Sequence, residues 1–271
     1  MARVPRKYLL SDINHIMLRG IGHMNLFGED ADFRHFLNAL IRFKKSTGIV
    51  VYAYCLMDNH VHILIKAPPQ EVPLFFKRLE VSYAMYFNSI YGHTGHLFQN
   101  RYKSEAIKDN AHFLNALRYI LCNPEKAALS KWNEYPWSSA KCYFRDLDDG
   151  ITDYSLPFAI LGGKEGFLRF MEIQPEEEGF TLAEPEKSRK MMNDTYARMI
   201  VQRISGLENP LMLQSLGRKE RDWLLYRFKQ EGLTIRQLER ITGINRSTVQ
   251  RAKCESGDVS RDVSPGSRFH E

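Results

Sequence analysis

The sequence lacks the features that would place the protein in a membrane or in an oxidising compartment. Its four cysteines, Cys55, Cys122, Cys142 and Cys254, lie far apart and form no CxxC pair, which favours structural thiols in a reducing compartment over a disulfide framework. No apolar stretch near the N-terminus has the length of a signal peptide, and no later run approaches the length of a membrane span. We therefore expect a cytoplasmic protein that does not bind a membrane.

Acidic residues are outnumbered by basic ones, 32 to 38, and the isoelectric point is about 9.0. This balance favours a polyanionic partner, although many basic proteins bind no nucleic acid. Hydrophobic residues make up 44% of the chain, which is enough for a packed core and argues against general disorder. The sequence also contains no internal repeat. Composition thus indicates a globular protein for which a nucleic acid is a candidate partner.

The first half of the chain alternates between strand and helix patterns. The patterns predict a strand over 13–21, an amphipathic helix that begins at Asp30, a hairpin of strands over 49–57 and 60–66, a helix over 73–91, a strand over 97–107 and a helix capped by Asp109. This order of elements is that of the ferredoxin-like fold. We expect an α+β domain in which an antiparallel sheet carries helices on one face.

Shifts in composition divide the chain into four parts. Residues 1–145 form the predicted ferredoxin-like domain. Residues 146–190 are acidic and rich in turn residues, as is typical of a connector, with one short apolar helix predicted near Phe167 to Met171. Residues 191–255 form a predicted all-α domain that contains a helix-turn-helix, in which ten lysines and arginines between 217 and 253 oppose four acidic residues. Residues 256–271 have almost no apolar content, so we expect a disordered tail.

A histidine pair, His60 and His62, lies in the second strand of the predicted hairpin. Side chains two apart on a strand project from the same face, and Val61 between them points to the other face. Two neighbouring imidazoles form half of a metal site. Histidines on a strand face are also common as ordinary polar surface residues, so the pair by itself leaves both interpretations open.

A second polar pair, Tyr119 and Asn123, is spaced four residues apart on the helix that follows Asp109. Residues at this spacing share one helical face, and in a ferredoxin-like order this helix can lie against the sheet. Two imidazoles and one amide oxygen would leave positions open on a cation for phosphate oxygens, and tyrosine would supply a nucleophile. A tyrosine on an amphipathic helix is, taken alone, as readily explained as a core aromatic residue.

Four sequence blocks carry a resemblance to a known family. They are YCLMDNHVHILI (54–65), GHLFQNRYKSEAI (95–107), LRYILCNP (117–124) and YPWSSAKCY (135–143). Together they resemble the REP-associated tyrosine transposases, which belong to the HUH class of single-strand DNA transposases, and the resemblance extends over about residues 8–145. The chain departs from the family pattern after Gly20 and after Pro124, which affects expectations about substrate recognition more than about chemistry.

The resemblance implies a function for the residues at these positions. It implies that His60 and His62 are metal ligands, with Asn123 in the position of a third ligand and Tyr119 as the nucleophile. The implied cofactor is a divalent metal, Mg or Mn, and the implied substrate is a single-stranded DNA hairpin formed by a repeat, cut to leave a 5′-phosphotyrosine and a free 3′-hydroxyl. The implied process is DNA transposition or repeat mobilisation by a nucleoid-associated enzyme that acts as a monomer or a homodimer.

Basic and aromatic residues beside these motifs are candidates for DNA contacts. Arg19, Arg101 and Lys103 could bind phosphates, because neutralisation of the backbone dominates affinity for nucleic acids, and Tyr102 could stack on a base. A solvated basic strand edge explains the three cations equally well.

The predicted helix-turn-helix would present a second helix to duplex DNA. This segment carries Arg246, Ser247, Thr248, Gln250 and Arg251 around one apolar position, Val249, and is similar to the DNA-binding domain of a replication initiator. A basic helical bundle that packs on the catalytic domain is the alternative, because helical hairpins with a glycine turn are common.

These sequence features are compatible with three functions. The first is the metal-dependent nicking and rejoining enzyme described above. The second is a non-catalytic DNA-binding regulator derived from such a transposase, which the helix-turn-helix and the altered loop after Gly20 favour. The third is an RNA-processing phosphodiesterase, which is less consistent with the sequence because a hydrolase gains nothing from a tyrosine beside the histidines.

Overall fold

The computed structural model describes residues 12–93, 95–145, 147–173 and 194–253. The expected tail at 256–271, Cys254 and the start of the chain lie outside these residues. The chain divides into two compact units, one that ends at Met191 and one that begins at Met192. No helix in the described ranges is both long and apolar enough to cross a membrane.

The first unit contains a four-stranded antiparallel sheet. Its strands are β1 (Ile13–Arg19), β2 (Val50–Met57), β3 (His60–Lys66) and β4 (Lys103–Ala106), and their order in the sheet is β2-β3-β1-β4. Each neighbouring pair is antiparallel, and β2 and β3 form the predicted hairpin. This is the strand order of the ferredoxin-like arrangement, so the predicted sheet is confirmed.

The strand predicted over 97–107 is shorter than expected. Phe98 makes an isolated bridge to Gly20, but regular pairing with β1 starts only at Lys103. At Gly20 the chain bends closely over the carbonyl of Met24, which would lie 2.1 Å from an added Cβ, so this position requires glycine. Because β1 ends at Arg19, the residues between Phe98 and Lys103 lose a continuous partner and form a loop at the sheet edge.

Two helices, α1 (Asp30–Lys45) and α2 (Val72–Tyr91), pack on each other. The first begins with a capping box, in which the side chains of Glu29 and Asp32 each accept a hydrogen bond from the backbone N–H of the other residue. The hydroxyls of Tyr86 and Tyr91 on α2 donate to the Asp32 carboxylate, which ties the two helices together. Their apolar faces match the sheet face formed by a set of fully buried residues, namely Ile16, Leu18, Val61, Ile63 and Ile65.

The third helix, α3 (Asn110–Leu121), covers the opposite face of the sheet, and the short helix α4 (Asn123–Lys126) follows it. Asp109 caps α3 by accepting from the backbone N–H of His112, as predicted. Phe113 and Leu117 share a core with Cys55 and Leu64 of the sheet. The expectation of helices on one face only was therefore wrong. The apolar stripe of α3 must be buried, and it packs on this second face against β2 and β3.

The segment expected to be a connector, 146–190, contains structure in its first half. Helices α5 (Ala140–Arg145), α6 (Ser155–Leu161) and α7 (Lys164–Glu172) follow α4, and Phe167 and Met171 join the core of α3. Aromatic and apolar residues of α6 and α7 thus pack against α3, and the first unit includes both helices. The short apolar helix predicted near Phe167 to Met171 is part of α7.

The second unit is helical throughout its described residues. It consists of α8 (Asp194–Ser205), a 3-10 turn (Pro210–Ser215), α9 (Arg218–Gln230), α10 (Ile235–Thr242) and α11 (Arg246–Arg251). A capping box of Thr234 and Gln237 starts α10, and Gly243 in the left-handed conformation ends it. Leu238, Ile241 and Val249 meet in one core, which fixes α11 against α10 and α9.

Candidate active site

The histidine pair and three residues of β1 share one face of the sheet. The register pairs Arg19 with His60 and Met17 with His62. His15 pairs with Leu64, which is the next pair on the same face. Directly paired residues in an antiparallel sheet point to the same side. This is the side that α3 covers, so the helix that carries Tyr119 lies over the histidines rather than behind the sheet.

His62 is fully buried and makes one hydrogen bond through its ring. Its Nδ1 lies 2.9 Å from Nε2 of His15, while its own Nε2 is buried without a hydrogen-bond partner. Burial, followed by the charges of His60 and His15, holds the pKa of His62 well below its ordinary value. Burial also lowers the pKa of His15 to about 3. Both imidazoles are therefore neutral at physiological pH and can act as nitrogen ligands.

His60 lies at the mouth of this group and is 6% exposed. Its ring is almost perpendicular to that of His62, with ring centroids 4.9 Å apart. Nδ1 of His60 lies 2.7 Å from Oδ1 of Asn59 in the hairpin turn, and Nδ2 of Asn59 donates to the carbonyl of His23. The turn of the hairpin thus orients the first histidine of the pair.

Tyr119 lies against both buried histidines. Its ring centroid is 5.4 Å from that of His62 and 5.8 Å from that of His15, and the side chain is 8% exposed. Nζ of Lys126, one turn beyond α3, lies over the tyrosine ring at 4.4 Å from its centroid. The phenol, a cation and the imidazole group therefore meet at one end of α3.

Asn123 is 6% exposed and is the first residue of α4, just beyond the end of α3. Its Nδ2 donates to the backbone carbonyl of Tyr119 at 3.4 Å. The side chain is thereby tied to the end of the helix that carries the phenol. Because an amide nitrogen cannot bind a cation, the Oδ1 atom is the only part of this side chain that could serve as a ligand.

The histidine pair has the donor atoms that a divalent cation with open coordination positions would need. No group of three or more His, Cys, Asp and Glu side chains within the described ranges is arranged to hold a metal ion. The pair of His60 and His62 supplies two nitrogen donors, and the unpartnered buried Nε2 of His62 is one that a metal would satisfy. Two imidazoles with one amide oxygen leave open positions, as a Lewis-acid site for phosphate requires.

A small cleft beside the histidines, here called the basic cleft, has a volume of about 160 Å³. It is lined by Met17, Arg19, Gln99, Asn100, Arg101 and Lys103. Lys103 pairs with Met17 across the sheet and therefore lies on the face that carries His62. The three predicted phosphate-binding cations thus line one cavity next to the candidate metal ligands.

Tyr102 does not join this cleft. It is 7% exposed, and its ring packs against Phe76 of α2 at a centroid distance of 4.8 Å. Successive residues on an extended chain point to opposite sides, so Tyr102 faces α2 while Lys103 faces the histidines. In this conformation its ring is a core residue, which argues against the expected stacking on a base.

Several residues of the site were not predicted from the sequence. They are His15, Asn59, Gln99, Asn100 and Lys126. For His15, the alternation of His15, Met17 and Arg19 along β1 was a usable signal, because it places three polar or soft side chains on one face. For Lys126, the signal was its position three residues after Asn123, which keeps it near the end of the same helix.

The candidate DNA-reading residues of the second unit lie on the outside of α11. Arg246, Ser247, Gln250 and Arg251 are exposed and Thr248 is half-buried, whereas Val249 is fully buried. Asn245 caps the helix by accepting from the backbone N–H of Thr248. The helix is short, but its polar side is presented to solvent, as binding in a DNA groove would require.

Comparison with known proteins gives one match among protein families and one among solved structures. The family model described as "Transposase IS200 like" matches residues 12–123 of this chain. One solved structure, a REP-associated tyrosine transposase bound to a REP hairpin, is similar with 15% sequence identity and a TM-score of 0.49, covering 68% of this chain and 98% of that chain. No curated protein matches the sequence.

Proposed function

We propose that this chain is a metal-dependent single-stranded DNA endonuclease and strand transferase of the REP-associated type, which acts on hairpin-forming repeats through a 5′-phosphotyrosine intermediate. The observation that carries the proposal is the position of the Tyr119 ring, 5.4 Å from the ring of His62, on the sheet face that also bears His60. The match of residues 12–123 to the IS200-like transposases and the four sequence blocks support it.

The proposed reaction needs no nucleotide cofactor. The Tyr119 oxygen attacks the scissile phosphorus, the tyrosine proton is lost, and a bond from the tyrosine oxygen to phosphorus forms as the bond to the 3′ oxygen breaks. The departing 3′ oxygen takes a proton and becomes a hydroxyl. Because the phosphodiester energy is kept in the phosphotyrosine, attack by a 3′-hydroxyl on this intermediate rejoins DNA.

The residues around Tyr119 have distinct proposed roles. His60, His62 and Oδ1 of Asn123 would hold Mg or Mn, which when bound polarises the scissile phosphate as a Lewis acid. The Lys126 ammonium over the phenol ring would favour the phenolate, whose ordinary pKa of about 10 makes it scarce at neutral pH. Burial of the group excludes most water from the reacting atoms and strengthens these charge interactions.

The test is incubation of the protein with labelled single-stranded hairpin oligonucleotides in Mn, in Mg or in a chelator. A protein-DNA band that survives denaturation and depends on the metal is the expected result. An active enzyme would also release a product with a free 3′-hydroxyl. Tight binding of the hairpin without any nicking in either metal would favour the regulator instead.

The basic cleft should set the affinity for single-stranded DNA. We expect Arg101→Ala and Lys103→Ala each to weaken binding several-fold at low salt, because each removes one phosphate partner. In the double variant the slope of log affinity against log salt should fall by about 1.4, since each phosphate that a protein neutralises on a single strand contributes about 0.7 to that slope. Fluorescence anisotropy over a range of salt concentrations measures both quantities.

A matched control for the basic cleft is Lys45→Ala, which removes one exposed cation at the end of α1. This change alters the net charge by the same amount as Arg101→Ala, so its salt slope should stay that of the unmodified protein. If Lys45→Ala and Arg101→Ala weaken binding equally, the cleft has no special role and only overall charge matters.

A second binding activity is proposed for the C-terminal unit. The helices α10 and α11, joined through Gly243, would place the exposed side of α11 in the major groove of duplex DNA. The observation that favours this is the polar, exposed set of Arg246, Ser247, Gln250 and Arg251 around the buried Val249. The same observation would support a DNA-binding regulator if the chemistry at Tyr119 were absent.

Duplex binding should depend on the outer face of α11. The double substitution of Gln250 and Arg251 by Ala is expected to weaken specific duplex binding by at least about 10-fold, because each base contact contributes on the order of 1–3 kcal/mol. Adducts with a short single-stranded hairpin should not change. The control is Lys219→Ala on the exposed start of α9. A double variant that binds a selected duplex as tightly as the unmodified protein would argue for a packing role of this unit.

A further inference from the structure

The two histidines of the pair each use Nδ1 in a hydrogen bond within the protein. Nδ1 of His60 is 2.7 Å from Oδ1 of Asn59, and Nδ1 of His62 is 2.9 Å from Nε2 of His15. In both rings this leaves Nε2 as the nitrogen available for a ligand. A neutral imidazole carries one hydrogen, so the direction of each bond decides whether Nε2 has a lone pair.

The direction of the first bond follows from the chemistry of Asn59. An amide oxygen accepts and cannot donate, so His60 must carry its hydrogen on Nδ1. The assignment of the amide oxygen is supported on the other side of the group, where Nδ2 of Asn59 donates to the carbonyl of His23 at 3.3 Å. His60 is therefore in the tautomer whose Nε2 has a lone pair.

The second bond joins two neutral imidazoles and could run either way. If His15 donated, His62 would carry its hydrogen on Nε2, and that buried N–H would have no acceptor. If His62 donates from Nδ1, its Nε2 instead holds a lone pair, and His15 carries its hydrogen on Nδ1, where no acceptor lies within hydrogen-bond distance either. Each arrangement therefore leaves one buried N–H without an acceptor, but only the second gives Nε2 of His62 the lone pair that a cation needs.

We infer that Asn59 and His15 are positioning residues that accept hydrogen bonds from Nδ1 of His60 and His62 and so hold both Nε2 atoms ready to bind a divalent metal. The inference rests on the proposed function for the identity of the site. Such partners fix the tautomer and the ring orientation of ligating histidines, and their loss typically costs about 10–100-fold in metal affinity. His15 comes from β1 and Asn59 from the hairpin turn, so two different elements orient the pair.

The first arm of the test reads the tautomers without any metal. In the full-length metal-free protein with ¹⁵N-labelled histidine, NMR should find the hydrogen on Nδ1 in both His60 and His62. In Asn59→Ala, His60 should shift toward the Nε2–H form, while Asn59→Asp, which keeps an acceptor, should retain the Nδ1–H form. A hydrogen on Nε2 of His60 or His62 in the unmodified protein would overturn the inference.

The second arm measures binding of Mn²⁺ alone by the EPR signal of the free ion. Asn59→Ala and His15→Phe should each weaken binding by about 10–100-fold, whereas Asn59→Asp and His15→Gln should restore most of it. His15→Phe keeps a ring against His62 and Tyr119 and removes only the acceptor. Equal Mn²⁺ affinity in the unmodified protein, His15→Phe and Asn59→Ala would contradict the inference.

The two arms separate this inference from the proposed function. A protein that binds no Mn²⁺ but shows both Nδ1–H tautomers would contradict the metal-dependent function and leave the hydrogen-bond arrangement supported. Thermal melting and near-UV circular dichroism establish that each variant is folded. If His15→Phe does not fold, His15→Gln and the two Asn59 variants still decide the question.

Discussion

Tyr119→Phe should abolish the covalent protein-DNA adduct and leave hairpin binding nearly unchanged. The substitution removes only the hydroxyl, so the ring can still pack against His15 and His62 and beneath the Lys126 ammonium. Loss of a nucleophile lowers the rate by on the order of 10³-fold or more, because the proposed intermediate forms on the oxygen that is removed. Single-turnover nicking assays with Mn measure this loss, and fluorescence anisotropy measures binding.

A matched control for Tyr119→Phe is Tyr135→Phe. Tyr135 also loses one hydroxyl in this change, but that hydroxyl donates to the carbonyl of Leu56 and plays no part in the proposed chemistry. Tyr135→Phe should therefore retain the adduct, with a small loss of stability of about 1 kcal/mol from the missing hydrogen bond. Adducts that persist in Tyr119→Phe would mean that another residue is the nucleophile.

The sequence predicted each half of the site from local spacing. The alternation of a strand places His60 and His62 on one face, and the helical repeat places Tyr119 and Asn123 on another. What local spacing cannot supply is which face of the sheet α3 covers. That depends on the long-range core that α3 forms with Cys55 and Leu64, and with Phe167 of the segment expected to be a connector.

His15 shows why part of the site could not be predicted. The residue is 47 positions away from His62, and their hydrogen bond exists only because β1 pairs with β3 in a particular register. A shift of that register by one residue would move His15 to the opposite face of the sheet. Lone histidines on a strand have many explanations, so only the tertiary pairing distinguishes His15 from an ordinary buried polar residue.

The fold was predicted best where patterns were long and poorest where turns interrupt them. The hairpin of β2 and β3 and the cap at Asp109 were placed correctly, because alternation and capping are strong local signals. The edge strand β4 was overestimated because the buried Leu97 and Phe98 resemble strand residues. Both residues instead anchor the loop that lines the basic cleft. Substrate-binding residues are commonly found on loops that a rigid scaffold holds in place.

Removal of the metal, or of either histidine of the pair, should have an effect as large as loss of the tyrosine. The proposed ligand set has two nitrogen donors, so substitution of one leaves too few ligands to hold the cation. We therefore expect a loss of Mn affinity greater than the roughly 100-fold limit seen when only a supporting partner is removed. His60→Gln and His62→Gln are the informative variants, since glutamine keeps a polar side chain in each buried position. Excess chelator should stop nicking by the unmodified protein, and added Mn should restore it.

The control for these histidine variants is His35→Gln on α1, where the ring stacks on Tyr86 with centroids 3.8 Å apart. This substitution should leave both Mn affinity and nicking unchanged, so it separates a general effect of histidine loss from loss of the site. His62 is fully buried and tied to His15, so His62→Gln requires a melting curve beside each assay. If folded His60→Gln and His62→Gln still nick the hairpin at the rate of the unmodified protein, Tyr119 would have to be activated without the pair. The ammonium of Lys126 over its ring would then be the remaining candidate, since this cation lies against the phenol from α4 rather than from the sheet.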